Sequence, residues 1–209
     1  HIAENPIYYN PEYEHALTLD FGIADPPAVI SIQISDMGRI QVYNAFEMKD
    51  QDIDFYIPMM KGYKPREYER LSPQNKRTVD HAMKKIPMNY KADHYYGDHS
   101  GTARTANSKR SCKAALREKD IILETSGKQD HDWRFTCLDN LLKLRYSDTR
   151  NEWYSIFEVS PDCTKVIDAF NNYEWDESKD GTIDGKMKPK HNWASHIMSA
   201  LEFFAINRY

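Results

Sequence analysis

Apolar and polar positions alternate in three short runs near the start of the chain, a pattern typical of β-strands. The clearest run, residues 28–35, reads AVISIQIS. Residues 16–23 and 39–48 are also rich in strand-forming residues, and only short connections separate the three runs. The pattern predicts an antiparallel meander of three strands after an irregular lead-in over residues 1–14.

Helical spacing dominates the rest of the chain. Ser72 followed by Pro73 combines a cap residue with a first-turn proline, which predicts a helix to about Lys85. We interpret the surrounding charged stretch, residues 62–90, as an insertion. The other predicted helices cover residues 50–60, 108–119, 129–143, 161–170 and 191–207. The last of them is expected to present an apolar face that includes Trp193 and Leu201.

Further strands are expected at residues 92–96 and 120–124, with a hairpin over residues 144–159. Residues 176–190 hold many Asp, Lys and Gly residues and are expected to form a mobile loop. This order of elements predicts one α/β domain over residues 1–209. Its mixed sheet would combine an antiparallel meander with parallel strands and carry helices on both faces. The pattern alone is compatible with more than one mixed-sheet fold.

Overall charge does not indicate a nucleic-acid partner, because the formal net charge of the 209 residues is -4. A nucleic-acid function must therefore rest on local clusters of basic residues. The three cysteines are far apart and form no Cys-x-x-Cys pair, which favours reduced, buried thiols over a zinc site. Neither a membrane-spanning run nor a signal peptide is recognisable, so we expect a soluble, intracellular protein without a membrane partner.

Two aspartates occupy similar places. Asp20 precedes Phe21-Gly22, and Asp98 lies between Gly97 and His99, each at the end of a predicted strand. If the two strands are neighbours, the carboxylates converge, and a divalent cation removes their repulsion. One or two such ions can activate water for attack on a phosphodiester. The alternative, that each aspartate only caps a turn, remains open.

A basic segment follows Asp98. Residues 104–119 contain six basic side chains and one acid, Glu118. Such clusters bind backbone phosphates, although a charge run can equally be a solvated helix face. The basic residues are Arg104, Lys109, Arg110, Lys113, Arg117 and Lys119.

The last predicted helix offers further polar groups. His196, Ser199 and Glu202 follow one another at spacings of three, so they share one side of the helix. His196 is a candidate ligand or proton carrier, or else a half-buried histidine of an amphipathic helix. Serine-hydrolase and phosphate-loop ATPase chemistry are not indicated, because neither Gly-x-Ser-x-Gly nor Gly-x-x-x-x-Gly-Lys-Ser/Thr occurs.

Four segments in order resemble the C-terminal nuclease domain of the large terminases of tailed bacteriophages. They are LDFGIADPPAV from Leu19, YGDHSG from Tyr96, VIDAF from Val166 with Tyr173-Glu174-Trp175, and WASHIMSALEF from Trp193. The resemblance covers about residues 16–207. It implies a ribonuclease-H-like fold and Mg²⁺- or Mn²⁺-dependent endonuclease cutting of double-stranded DNA, with little sequence preference, during genome packaging.

The resemblance also implies roles for individual residues. Asp20 and Asp98 match the first two metal-binding aspartates of the family, and His196 matches its histidine in the last motif. Ser199 stands where the family has the aspartate that completes the metal site. Because serine is a poor neutral ligand, we expect one metal to bind weakly or to be held by another group, for which His196, Glu202 and the loop acids Asp180 and Asp184 are candidates.

The implied partners are double-stranded DNA, an ATPase domain of the same full-length protein, the portal and the small terminase, in the host cytoplasm. Two other functions stay open. One is a different ribonuclease-H-like nuclease, of the junction-resolvase or integrase type. The other is a catalytically weakened DNA-binding assembly module, which the serine at position 199 suggests.

Overall fold

A five-stranded mixed sheet forms the centre of the protein. The computed structural model describes residues 1–21, 27–48, 51–98, 111–127, 130–174 and 189–208. The sheet strands are β1 (Glu14–Asp20), β2 (Ala28–Ile34), β3 (Ile40–Glu47), β4 (His94–Gly97) and β7 (Phe157–Val159). Their spatial order is β4-β1-β2-β3-β7. The predicted meander of β1, β2 and β3 is confirmed, and β4 and β7 pair in parallel with β1 and β3.

Helices cover both faces of this sheet. They are α1 (Ile53–Met60), α2 (Pro73–Lys85), α3 (Cys112–Arg117), α4 (His131–Leu142), α5 (Thr164–Asn172) and α6 (Trp193–Arg208), with a 3₁₀ turn at Tyr68–Arg70. One hydrophobic core lies between the sheet and α4, α5 and α6, and a second lies between the sheet and α1, α2 and α3. The predicted ribonuclease-H-like α/β class is confirmed.

The segment that we interpreted as an insertion contributes to the second core. Ser72 Oγ accepts a hydrogen bond from the Asn75 backbone N–H, so the predicted cap starts α2 as expected. Val79 and Ala82 of this helix are fully buried. The segment is therefore part of the packed domain.

Three predicted elements differ from the structure in their extent or type. The helix expected from residue 108 begins at Cys112, because Ser111 caps it by accepting from the Ala114 N–H. Residues 120–124 form a single bridge from Glu124 to Tyr96 instead of a strand, since Asp120 adopts a positive φ of 60°. The hairpin pairs only β5 (Arg145–Ser147) with β6 (Glu152–Tyr154), because β7 joins the main sheet.

The last helix is less amphipathic than expected. It packs against β1 on one side and against α4 and α5 on others, so most of its residues are buried. Trp193, predicted on the apolar face, is the first residue of α6 and is 47% exposed. Residues 176–188 of the predicted mobile loop lie outside the described residues. No helix in the described part of the chain has the length and apolarity that a membrane span requires.

Candidate active site at the ends of two parallel strands

The two predicted aspartates lie at the ends of neighbouring strands, Asp20 as the last residue of β1 and Asp98 directly after β4. Strand β1 pairs in parallel with β4, and the last register pair is Leu19 with Gly97. Asp20 and Asp98 are the next residue on each strand, so the parallel pairing brings both to the same end of the sheet. The two strands are therefore neighbours, as the convergence of the two carboxylates requires.

Strand alternation decides which face Asp20 occupies. Side chains of a strand point alternately to opposite faces. Ala16 packs in the core beneath α6, while Leu17 and Leu19 pack in the other core. The Thr18 hydroxyl donates to the Ala200 carbonyl of α6 at 2.5 Å. Asp20 therefore lies on the face that α6 covers, and it is only 9% exposed.

The same reasoning applies to Asp98. Tyr96 of β4 packs in the core beneath α6, with its ring centroid 6.0 Å from that of Phe204. Asp98 is two residues further, so the alternation continues onto the α6 face. Asp98 is half-buried. Both aspartates therefore belong to the side of the sheet that carries the last helix.

The structure brings His196 to Asp20. Its Nδ1 lies 3.0 Å from Asp20 Oδ2, and its side chain is 7% exposed. The Thr18–Ala200 hydrogen bond explains this contact. From it, Asp20 lies two residues forward along the strand, about 7 Å, and His196 lies four residues back along the helix, about 6 Å, so the two side chains meet. His191 packs its ring edge-on to His196, with centroids 5.3 Å apart. His196 therefore holds one carboxylate oxygen of Asp20.

The two remaining predicted site residues that the structure describes, Ser199 and Lys113, form no described hydrogen bond or ion pair with either aspartate. Ser199 is half-buried, one turn further along α6, and takes part in no described hydrogen bond. Lys113 lies in α3, which packs on the opposite face of the sheet from α6. Arg104, Lys109 and Arg110 lie outside the described residues. The DNA-binding role of the basic segment therefore stays a prediction.

A buried charge pair lies between α4 and α6. Arg134 Nη2 is 2.6 Å from Glu202 Oε2, although the two atoms are not aligned as a hydrogen bond. Glu202 is 2% exposed, and the Tyr173 hydroxyl donates to its other oxygen, Oε1, at 2.7 Å. The Arg134 guanidinium also lies 4.5 Å from the centre of the Phe203 ring. Glu202, considered above as a replacement for the missing acid, is thus engaged by Arg134 and Tyr173.

Burial perturbs the pKa values of this cluster. Loss of water raises the pKa of Glu202 above its usual value, while the charge of Arg134 and the Tyr173 hydrogen bond oppose the rise. Burial also raises the pKa of Tyr173, to which the carboxylates of Glu202 and, less strongly, Asp20 add. Burial is thus the main cause of both shifts.

Sequence reasoning missed the role of Arg134, although a signal was present. Arg134, Leu138 and Leu141 follow one another at spacings of four and three, so the arginine lies on the apolar stripe of α4. Glu202 lies between Leu201 and Phe203 in a helix that is buried nearly all round. A charged residue on each of two buried helix faces indicates an ion pair.

A cleft of about 440 Å³ adjoins His196 on the side away from β4. It opens between the end of β3, the first turns of α2 and the N-terminal end of α6. Lys165 Nζ lies 3.1 Å from Glu47 Oε1 in its wall. The residues that line it are Glu47, Met48, Gln74, Asn75, Thr78, Lys165, His191, Asn192, Trp193 and His196.

Comparison with solved structures identifies the fold. The P22 large terminase nuclease domain matches with a TM-score of 0.55 over 98% of this chain and 87% of its own, at 12% identity. The large terminase nuclease of the thermophilic phage G20c with bound cobalt matches with a TM-score of 0.53 over 97% of this chain and 85% of its own, at 13% identity. The chain has the fold of large-terminase nuclease domains.

A larger protein matches as well. The large terminase of a further thermophilic bacteriophage gives a TM-score of 0.60 at 15% identity over 99% of this chain. The chain spans 42% of that protein, which has also been solved with ADP. No protein-family model and no curated protein sequence matches the chain.

The residues at the strand ends fit a hard divalent cation in part. Carboxylate oxygens are the ligands that Mg²⁺ and Mn²⁺ prefer, and Asp20 and Asp98 supply them from adjacent strands. Among the described residues, no group of three or more His, Cys, Asp or Glu side chains is arranged to hold a metal ion. The described residues therefore supply the two aspartates but no third His, Cys, Asp or Glu ligand beside them.

Proposed function

We propose that the chain is a metal-dependent endonuclease domain that cuts double-stranded viral DNA during genome packaging. The observation that supports this most strongly is the placement of Asp20 and Asp98 at the ends of the neighbouring parallel strands β1 and β4. The fold of large-terminase nuclease domains supports the same function.

Asp20 and Asp98 would hold Mg²⁺ or Mn²⁺, which supplies a Lewis acid that activates water and stabilises the leaving oxygen of the phosphodiester. His196 orients Asp20 through the 3.0 Å contact between Nδ1 and Oδ2. The packing of α6 on β1 keeps this pair largely out of water, which strengthens their interaction. Ser199 would contribute a neutral hydroxyl.

The test is cleavage of supercoiled plasmid with millimolar Mn²⁺. We expect nicked and linear products from the unchanged chain and none from Asp98→Asn, which keeps the shape of the side chain and removes its charge. Asp36→Asn is the matched control, because Asp36 lies in the β2–β3 turn at the opposite end of the sheet. Equal cleavage by the unchanged chain and Asp98→Asn would contradict the proposal.

Other ribonuclease-H-like nucleases are distinguished by substrate. A resolvase-type enzyme would cut a four-way junction in preference to a linear duplex of the same sequence. We expect no such preference here.

The serine at position 199 favours a second candidate function, a DNA-binding assembly module with weakened catalysis. This alternative predicts salt-sensitive DNA binding without cleavage, and a gain of cleavage in Ser199→Asp. Under the first proposal, the unchanged chain already cuts. For either function, the ATPase domain, portal and small terminase are the proposed partners.

A further inference from the structure

We propose that the cleft beside His196 binds the base of an unpaired nucleotide in a DNA strand that passes the site at Asp20 and Asp98. This inference rests on the proposed function, because it assigns a subsite to the same substrate. It concerns residues of β3, α2 and α6 that the proposed cutting reaction does not use.

The position of the cleft follows from the sheet register. Asp20 pairs with Ala28 of β2, and Ala28 pairs with Glu47 of β3, so the three residues form one row across the sheet. Two strand spacings separate Asp20 from Glu47 by about 10 Å. A DNA strand advances about 3.4 Å per nucleotide along the helix axis, so the cleft lies about three nucleotide steps from the aspartates. His196 contacts Asp20 and also lines the cleft, which joins the two sites directly.

The charges in the cleft disfavour a phosphate. Among the described residues that line it, Lys165 is the only lysine or arginine, and it is paired with Glu47 at 3.1 Å. A phosphate would have to compete with that carboxylate for the ammonium group. The charges of the described lysine and carboxylate that line the cleft therefore cancel, which leaves no free ammonium group for a phosphate.

The polar groups of the cleft suit a base edge. Gln74 and Asn75 line it from the first turn of α2, and no described hydrogen bond uses either side-chain amide. An amide offers a donor and an acceptor together, which is how Asn and Gln pair with the edge of a base. Thr78, one turn along the same helix, lines the cleft as well, and its hydroxyl donates to the Gln74 carbonyl, so it offers the base only an acceptor. The cleft thus presents neutral donors and acceptors.

Trp193 supplies a stacking surface. Trp193 is 47% exposed although it begins a helix whose other large apolar side chains are buried or partly buried. Bases stack on exposed aromatic rings whatever their sequence, and loss of such a ring weakens single-strand binding by about fivefold or more per base. The cleft volume of about 440 Å³ lies in the range of small-molecule sites. An unpaired base can therefore stack on the ring while its edge reaches the amides.

The experiment uses a single-stranded oligonucleotide that carries the fluorescent adenine analogue 2-aminopurine, titrated with the full chain in EDTA so that no strand is cut. We expect quenching of the analogue on binding, and binding at least about fivefold weaker for Trp193→Ala. Trp193→Phe keeps a ring and should retain most of the quenching. Asn75→Leu, on a different helix, should also weaken binding.

Trp153→Ala is the matched control. Trp153 is 66% exposed on strand β6 and does not line the cleft. We expect its affinity to stay within twofold of the unchanged chain. Unchanged binding and quenching in both Trp193→Ala and Asn75→Leu would overturn the inference, as would an equal loss in Trp153→Ala.

The plasmid assay separates failure of the inference from failure of the proposed function. If the unchanged chain cuts plasmid in an Asp98-dependent way while Trp193→Ala binds the oligonucleotide normally, the inference fails and the nuclease proposal stands. If the unchanged chain neither cuts nor binds any DNA, the nuclease proposal fails, and the inference fails with it.

Discussion

Replacing Arg134 by methionine should destabilise the protein strongly, because it leaves a carboxylate buried without its counter-charge. Glu202 is 2% exposed and, among its described hydrogen-bond and ion-pair partners, would retain only the Tyr173 hydroxyl. With Nη2 2.6 Å from Oε2, the centres of charge are about 4 Å apart, which corresponds to about 4 kcal/mol at an effective dielectric constant of 20. Breaking buried pairs costs about 3–5 kcal/mol, so we expect the free energy of unfolding to fall by about 3 kcal/mol at pH 8.

The loss should depend on pH, and its sign follows from Glu202. Burial already raises the pKa of Glu202 above its usual value of 4.5 in the folded state, and removing Arg134 raises it further. The folded state then binds this proton more tightly than the unfolded chain does. Protonation of Glu202 therefore favours folding at low pH, and this contribution is lost as pH rises above 4.5 through the folded pKa. The variant should lose less stability at pH 5 than at pH 8.

Urea unfolding measures both effects. With a slope of about 2 kcal/mol per molar urea, the midpoint should fall by about 1.5 M at pH 8. The double variant Arg134→Met/Glu202→Gln removes both charges and should recover most of the loss. Lys143→Met, also at α4, breaks an exposed pair with Asp139 at 3.3 Å and should cost less than about 0.5 kcal/mol. A loss below about 1 kcal/mol for Arg134→Met, or an equal loss at both pH values, would refute the reasoning.

The glycines offer two further predictions. In Gly97→Ala the new Cβ would lie 3.0 Å from Leu123 Cδ1 and 3.2 Å from the Leu19 carbonyl oxygen, so Leu123 or the backbone just before Asp98 must give way by a few tenths of an ångström. We expect urea unfolding to show about 1–3 kcal/mol of destabilisation, and we expect slower cutting of plasmid. Unchanged stability would show that Leu123 moves aside without cost. Gly62→Ala combines a φ of +80° with a Cβ that would overlap the Pro87 carbonyl oxygen, whereas Gly38→Ala has a φ of +74° and nothing within 4 Å. Gly38→Ala should destabilise the protein by about 1–2 kcal/mol. In thermal unfolding the Tm of Gly62→Ala should be lower than that of Gly38→Ala, and the reverse order would contradict the predicted clash with Pro87.

The parts of the fold that local patterns determine were predictable from the sequence. The meander followed from alternation in residues 28–35, and α2 followed from the Ser72-Pro73 signal. Asp20 and Asp98 were identified because a glycine lies close to each at the end of a strand. Local signals of this kind act over a few residues, so they survive in a single sequence.

Long-range packing decided what the sequence did not predict. Trp193 lies exposed at the start of α6, and residues 120–124 form one bridge because Asp120 turns the chain. The helical spacing of Arg134 indicates a buried arginine, but its pairing with Glu202 joins two helices that are far apart in the sequence, and local spacing does not identify the partner. The cleft depends on the meeting of β3, α2 and α6, whose arrangement is set by the sheet and the two cores.

The most direct measurement of the central claim is Mn²⁺ binding to the full chain, measured by titration calorimetry. We expect the unchanged chain to bind Mn²⁺, Asp20→Asn and Asp98→Asn each to abolish this binding or weaken it at least tenfold, and Asp36→Asn to leave it unchanged. Binding that persists in both aspartate variants would contradict the account, because the two carboxylates would then not share a cation.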